Sequence, residues 1–237
     1  MKKVLIPVVG TVGAGVIIIS GMSNFAYTDN PFSASPSPSG IAASAHETAG
    51  TSSGIPEVKT LGLVDIRYQL NHLNQLASNQ IAIWIEDQSG NYVTTLRASS
   101  FTAGGGYRKR PESLPEWRKA ANWEQASEAE IERVSLPQQE PGEHVLYWNC
   151  TDDSGRAVEP GTYVYKVEGN IFWENRVLYT GEIAVGTDPS ESTANADYIP
   201  ASAESEGTLL EHVSSVFKPG VSIASVDQEP LTVTRGS

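Results

Sequence analysis

Two pairs of adjacent carboxylates are the residues whose types and spacing could do chemistry in this chain. Glu86-Asp87 and Asp152-Asp153 could serve as general acid and base, or as calcium ligands. Each pair follows a strand-like run and precedes a Ser-Gly sequence, where an Asp accepts hydrogen bonds from the backbone of its own turn. Calcium takes about six to eight oxygen ligands, and no Asp-x-Asp-x-Asp loop is present. We therefore interpret both pairs mainly as turn-capping residues.

The remaining chemistry-bearing residue types do not form a recognisable active site. The four histidines, at positions 46, 72, 144 and 212, lack the spacing of zinc ligands. The Gly-x-Ser-x-Gly motif of a serine hydrolase is absent, and the run Gly104-Gly105-Gly106 lacks the Lys-Ser/Thr of a phosphate-binding loop. These patterns predict a protein that is not an enzyme and that carries no cofactor and no metal. An alternative stays open, in which His144, Asp152 and Asp153 form a metal-dependent or catalytic site.

Cys150 is the single cysteine, so the chain cannot form an intramolecular disulfide. It ends a strand-like run beside Trp148, and His144 is too far along an extended strand to act as its base. We predict a buried, unreactive thiol.

A group of basic and aromatic side chains is the candidate partner-binding site. Its members are Tyr107, Arg108, Lys109, Arg110, Trp117 and Trp123, together with a predicted exposed tip at Phe172 and Trp173. Such a mixture could bind a glycan, an anionic polymer or a partner protein. The alternative is a solvated basic loop whose tryptophans pack on the fold. Trp117 and Trp123 are six positions apart, which does not place them on one helical face.

Alternating apolar residues and turn signals predict an all-β domain. There are six strand-like runs, four of which are 61–70, 80–87, 92–96 and 176–186. The runs 80–87 and 92–96 are expected to form a hairpin with a five-residue loop. The stretch 143–168 contains two more, joined by turns at Asp152–Gly155 and Pro160-Gly161. Tyr163, just after the second turn, is placed to be a tyrosine-corner residue. Runs of this kind favour an immunoglobulin-like antiparallel β-sandwich.

One long loop and helix insertion, 97–139, interrupts the strands, and loops on a rigid scaffold commonly carry binding sites. Within it, a short helix is expected to run to Ala126, with Ser113 as N-cap, Pro115 in its first turn and Glu116 closing a capping box.

Composition divides the chain into four parts. Residues 1–27 join Lys2 and Lys3 to an uncharged apolar run, 4–22, and form a signal peptide or membrane anchor. Residues 28–60 are rich in Ser, Ala, Gly and Pro and are predicted to be a disordered linker. The sandwich covers 61–186. Residues 187–237 form an acidic, partly disordered tail, with one short element at 208–217 that fits a helix or a strand.

The net charge of −12 argues against nucleic acid as a partner, since such binding needs clustered Lys and Arg. The tail alone has eight acidic and two basic residues. It therefore adds solubility and repels anionic surfaces.

The segments SNQIAIWIEDQSGNYVTTL, LPEWRKA, GEHVLYWNCTDDSGRAVEPGTYVYKVEG and YTGEIAVG resemble a family of predicted periplasmic proteins of unknown function. The part from 142 to 168 is also similar to the immunoglobulin-like domain of the flagellar hook-capping protein, through Gly142, Trp148, Gly155, Gly161 and Tyr163. Asn149 and Cys150 stand where such families carry Asp and Gly. The resemblance implies an exported immunoglobulin-like sandwich and no known activity.

These patterns together predict an exported protein, either tethered to the outer face of the cytoplasmic membrane through residues 4–22 or released. We expect a non-enzymatic binding or structural module of the cell envelope, whose partner is an envelope protein or a polysaccharide. The contact surface is expected on the insertion and the Phe172-Trp173 tip.

Overall fold

The computed structural model describes residues 60–226. The signal or anchor segment 1–27, most of the linker 28–60, His46 and the end of the tail lie outside the described residues. Within 60–226, the helices are too short and too polar for any of them to cross a lipid bilayer.

The described chain is a β-sandwich of ten strands. The strands are β1 (Gly62–Leu70), β2 (Ile81–Asp87), β3 (Tyr92–Ser99), β4 (Ser135–Leu136), β5 (Gly142–Trp148), β6 (Gly161–Phe172), β7 (Asn175–Val185), β8 (Ser190–Thr193), β9 (Asn195–Ile199) and β10 (Leu210–Pro219). Three short helices, α1 (Ser100–Ala103), α2 (Pro115–Ala120) and α3 (Glu128–Val134), all lie between β3 and β4.

The strands form two sheets that pack face to face. The four-stranded sheet has the order β5-β1-β10-β8, and the six-stranded sheet has the order β4-β3-β2-β6-β7-β9. Every pairing is antiparallel apart from the two-residue pairing of β4 with β3, which is parallel. The prediction of a β-sandwich is confirmed, with this one parallel pair as an addition.

The core between the sheets is built from alternate residues of the central strands. On β6, Tyr163, Tyr165 and Val167 face inward, and Trp148 of β5 packs edge-on against Tyr163 with ring centroids 5.1 Å apart. Cys150 lies in the same core with no exposed surface, and burial raises the pKa of its thiol to about 12. The structure therefore confirms a buried thiol, which stays protonated at neutral pH.

The turn between β5 and β6 carries the predicted capping groups. Asp152 accepts hydrogen bonds from the backbone N–H groups of Ser154 (2.9 Å) and Arg156 (3.0 Å), and Gly155 has a φ of +77°. The Tyr163 hydroxyl donates to the backbone oxygen of Glu159 at 2.7 Å. This bond back to the upstream backbone is the geometry of a tyrosine corner, as predicted.

The folded domain extends beyond its predicted end at residue 186. Three strands, β8 to β10, come from the segment predicted to be an acidic tail, and β10 pairs with β1 over most of its length. The element predicted at 208–217 is this strand. A bulge at His212, whose φ is +53°, breaks its alternation so that Leu210 and Val213 both face the core. Apolar residues three positions apart also lie on one face of a helix, and this is why the sequence of 208–217 fits a helix as well as a strand.

The insertion 97–139 is mostly packed structure. Its first residues extend β3 to Ser99, and the rest covers the outer face of the six-stranded sheet with a second hydrophobic core. The members of this outer core are Ala82, Trp84, Ala98, Ala103, Tyr107, Leu114, Trp117, Trp123 and Val134. The predicted helix to Ala126 is wrong in extent, because α2 ends at Ala120 and a separate 3₁₀ turn covers Trp123–Gln125.

A glycine substitution tests the packing between β6 and β7. Tyr165 lies opposite Gly181, and its ring occupies the space that a β-carbon on Gly181 would need. We expect Gly181→Ala to lower the free energy of unfolding by about 1–3 kcal/mol, measured by urea denaturation. The matched control is Gly186→Ala, at a site where nothing lies within 4 Å of the added carbon. Equal stability of the two variants would contradict this account of the Tyr165 ring.

Candidate functional site

One end of the six-stranded sheet gathers most of the residues predicted to bind a partner. The pairing of Ile81 with Gly169 and of Ala82 with Ala98 places the start of β2 beside the ends of β3 and β6. The loop 71–80, helix α1 and the β6–β7 tip therefore all emerge at this end, which we call the loop end.

Exposed apolar side chains concentrate at the loop end. Among residues 60–226, the large apolar side chains with substantial exposure are Leu76, Phe101, Val145, Phe172 and Trp173. Four of them lie at the loop end, and Val145 lies apart, on β5. Trp173 is 43% exposed, and the exposure predicted for the Phe172-Trp173 tip is confirmed.

Asn170 of β6 fixes the loops of this end to one another. It is fully buried, and its side-chain amide donates to the backbone oxygens of Glu112 (3.0 Å) and Trp173 (3.2 Å). Its side-chain oxygen accepts from the backbone N–H of Leu114 at 3.1 Å. One side chain thus holds the aromatic tip and the start of α2 in a fixed relation.

One basic residue of the insertion lies against an exposed aromatic ring, and two more follow Phe101 closely in the chain. Arg108 and Lys109 are exposed, and the guanidinium carbon of Arg110 is 4.8 Å from the centroid of the Phe101 ring. Phe101, Arg108, Lys109, Arg110, Phe172 and Trp173 together form what we call the aromatic–basic surface. Two acidic residues, Glu112 and the exposed Glu174, border it.

Three of the predicted partner-binding aromatics are buried and belong to the outer core. Trp117 has no exposed surface, Trp123 is 4% exposed and Tyr107 is 8% exposed. The indole N–H of Trp117 donates to the Thr95 hydroxyl at 2.9 Å, and that of Trp123 donates to the backbone oxygen of Ala103 at 3.0 Å. These side chains cannot reach a partner. The prediction that they contact one is therefore corrected, because they form the core beneath the insertion.

The two tryptophans also contact each other, with ring centroids 4.6 Å apart, although their spacing was incompatible with one helical face. The chain leaves α2 after Ala120 and turns at Asn122, whose φ is +47°. That turn returns Trp123 to the side of Trp117.

The start of α2 is capped by a distant residue instead of Ser113. Leu114 occupies the N-cap position with a φ of +48° and contributes no side-chain bond. The carboxylate of Glu168, on β6, accepts from the backbone N–H groups of Trp117 at 2.8 Å and Glu116 at 3.3 Å. Ser113 is buried and bonds to Thr102. The capping box of the insertion is at Ser127 and Glu130, which begin α3.

Glu168 is a fully buried carboxyl group whose pKa is shifted in opposite directions by its burial and by its neighbours. Burial raises its pKa to about 7, while the two backbone N–H groups and the nearby Arg176 act in the opposite direction. The Arg176 Nε atom is 3.6 Å from the Glu168 carboxylate, and Arg176 also pairs with Glu116 at 2.7 Å. Glu168 and Asn170 escaped the sequence analysis because polar residues at outward positions of a strand ordinarily face solvent.

The alternative site of His144, Asp152 and Asp153 is not assembled. His144 and Trp148 are four residues apart on β5, about 13 Å along the strand, and Asp152 lies beyond Trp148. His144 instead stacks on Tyr68, with ring centroids 5.5 Å apart, and bonds to Gln139 and to the backbone oxygen of Glu140.

The other carboxylates of the two pairs have structural partners. Asp87 accepts hydrogen bonds from the turn residues Ser89 and Asn91, as predicted. Glu86 accepts from the Trp84 indole at 2.7 Å and from Lys166.

Asp153 pairs with Arg133 at 2.7 Å, and both residues line a cleft of about 240 Å³ between β3 and the end of β5. His144 does not line this cleft. No group of three or more His, Cys, Asp or Glu side chains in the described part of the chain is arranged to hold a metal ion.

The ionisation of Glu168 predicts a pH dependence of stability. Because its folded pKa is above its value of 4.5 in the unfolded chain, the stability contributed by the protonated form is complete below about pH 4.5 and is lost as pH rises through about 7. We expect the free energy of unfolding to fall by up to about 3 kcal/mol across this window, measured by urea denaturation. Glu168→Gln, which cannot ionise, should remove most of this slope. An equal slope in both proteins would contradict the assignment to Glu168.

Comparison with known proteins supports the predicted family. No curated protein and no solved structure matches the chain. The similarity to the hook-capping domain therefore stays a prediction. Residues 64–199 match a family described as predicted periplasmic proteins, DUF2271, from β1 to the end of β9. A periplasmic location agrees with the export predicted from residues 1–27. The match covers more than half of the chain, and the protein belongs to this family of predicted periplasmic proteins.

Proposed function

We propose that this protein is a non-enzymatic binding module of the cell envelope, tethered through residues 4–22, whose contact surface is the aromatic–basic surface. The observation that carries the proposal is the clustering of exposed apolar side chains at the loop end. Single exposed apolar side chains are normal on a protein surface, whereas a cluster of exposed aromatic side chains with cations nearby is typical of a binding site. The tether rests on the sequence pattern of the first residues alone. The immunoglobulin-like character of the sandwich is part of this proposal and is supported by the tyrosine corner at Tyr163.

The ligand that fits the surface best is an anionic polysaccharide. The protein as a whole carries a charge of −12, so a local cluster of exposed cations is where an anionic chain would be attracted. Flat aromatic faces at Phe101 and Trp173 can pack against the apolar faces of sugar rings. Arg110, already stacked on Phe101, can present its guanidinium edge to a carboxylate.

The tip is also rigid enough to bind with little loss of entropy. The bond from Asn170 to the Trp173 backbone oxygen fixes the turn, and Trp173 itself has a φ of +46°. A loop whose backbone is already positioned loses less entropy on binding than one that must be ordered.

Substitution at the tip and in the basic loop tests the proposal. Trp173→Asn removes the ring while keeping a residue that tolerates positive φ, and Lys109→Glu reverses one exposed charge. We expect each to weaken binding of the full chain to polygalacturonate about tenfold or more, measured by biolayer interferometry. Added salt should weaken binding of the wild-type protein, and neutral dextran should not bind.

The matched control is Val145→Ser, which alters an apolar side chain of similar exposure on β5. It should bind as the wild type does. Equal binding by Trp173→Asn, Lys109→Glu and the wild type would exclude the aromatic–basic surface. Binding of a purified envelope protein, lost in these variants and unaffected in Val145→Ser, would keep the surface and replace the polysaccharide as its ligand.

A further inference from the structure

Arg97 of β3 is a buried charge without a counter-ion. Its side chain is 2% exposed, and it lies opposite Ile83, whose side chain faces the core between the sheets. The guanidinium donates to the backbone oxygen of Pro137, and its buried Nε–H has no partner. Across residues 60–226, no carboxylate lies within ion-pair distance of Arg97, although every other buried charged residue there has an ionic partner.

The Arg97 side chain lines a small cavity at the edge of the sandwich. The cavity has a volume of about 10 Å³, enough for one atom of the size of a water oxygen. Its walls are Leu70, Asn71, His72, Asn79, Ile81, Arg97, Ser99, Gln138 and Gln139. In a chain with 28 acidic residues, this lining contains none. The carboxylate of Glu211 is close by, but it accepts a hydrogen bond from Asn71 at 2.8 Å and is not part of the lining.

A buried guanidinium needs an acceptor that replaces the water it has lost. An unpaired charge is costly in a protein interior, and burial accordingly lowers the pKa of Arg97, while the nearby Tyr68 acts in the opposite direction. The Tyr68 hydroxyl donates to the side-chain oxygen of Gln139 at 2.6 Å and makes no hydrogen bond with Arg97. The cavity is where an acceptor for the free Nε–H can be placed.

We propose that this cavity is a binding site for a small monovalent anion, of the carboxylate class, held by Arg97. Guanidinium and carboxylate groups form short, charge-assisted hydrogen bonds, and the free Nε–H supplies one of them. The cavity volume admits a single oxygen of the anion, with the rest of the molecule at the mouth between His72 and Gln138. Both of these residues are exposed.

The site is separate from the aromatic–basic surface. Arg97 faces the interior between the sheets, whereas its neighbour Ala98 packs against the insertion on the outer face. Failure of either proposal would therefore leave the other unaffected.

Thermal unfolding of the full chain tests the site. Formate is the probe, with acetate and chloride as further monovalent anions, and each salt is added at the same concentration to every variant so that a general effect of ionic strength appears in all of them. For so small a ligand the Kd is expected at about 1 mM or weaker. At about 100 mM formate we expect the Tm to rise by about 3–8 °C. Arg97→Gln should lose this response, and Arg156→Gln, which removes an exposed charge from the β5–β6 turn, should keep it.

Gln138→Glu provides the second test, because it places a carboxylate at the mouth of the cavity without a change in side-chain size. This variant should have a higher Tm than the wild type without formate and should respond weakly to formate. It decides the matter if Arg97→Gln fails to fold. An unchanged wild-type Tm in formate, acetate and chloride would overturn the proposal and leave a water molecule as the occupant. An equal rise in the Tm of the wild type and of Gln138→Glu on addition of formate would also overturn the proposal.

Discussion

The hydrogen bonds from the start of α2 to Glu168 are the interaction on which the shape of the loop end depends. A six-residue helix has little stability of its own, and its first N–H groups need acceptors. Glu168 supplies them from the sheet, and Asn170, two residues later on the same face of β6, holds the adjacent loop and the Trp173 tip. The insertion is therefore attached to the sandwich by two polar side chains as well as by its apolar core.

This attachment determines which aromatic residues are available to a partner. Once the insertion lies flat on the six-stranded sheet, Tyr107, Trp117 and Trp123 become its core, and they bury the outward-facing Trp84 of β2. The polar and basic loop that carries Arg108 and Lys109 stays exposed and follows α1 at the loop end. The surface that could bind a ligand is thus a consequence of how the insertion packs.

Glu168 and Arg97 show two ways in which one small fold carries a buried charge. The Glu168 carboxyl has two backbone N–H groups and Arg176 around it, which compensate part of its burial from within the chain, although its pKa is still raised to about 7. The Arg97 guanidinium has a single carbonyl oxygen and a polar cavity. A group of the first kind has its partners within the fold, while one of the second kind keeps a buried donor whose acceptor could come from a ligand outside.

The sequence by itself determined the sandwich, the buried Cys150, the turn at Asp152, the tyrosine corner and the exposed tip. These features follow from alternation along a strand and from short-range turn chemistry, both of which are local. Tertiary structure alone decided the role of the insertion, because an alternating pattern does not reveal that a sheet is covered on its second face. It also decided that β10 belongs to the domain, since the bulge at His212 hides the strand period. The capping of α2 by Glu168 and the isolation of Arg97 join residues that are distant in sequence, and nothing local encodes such contacts.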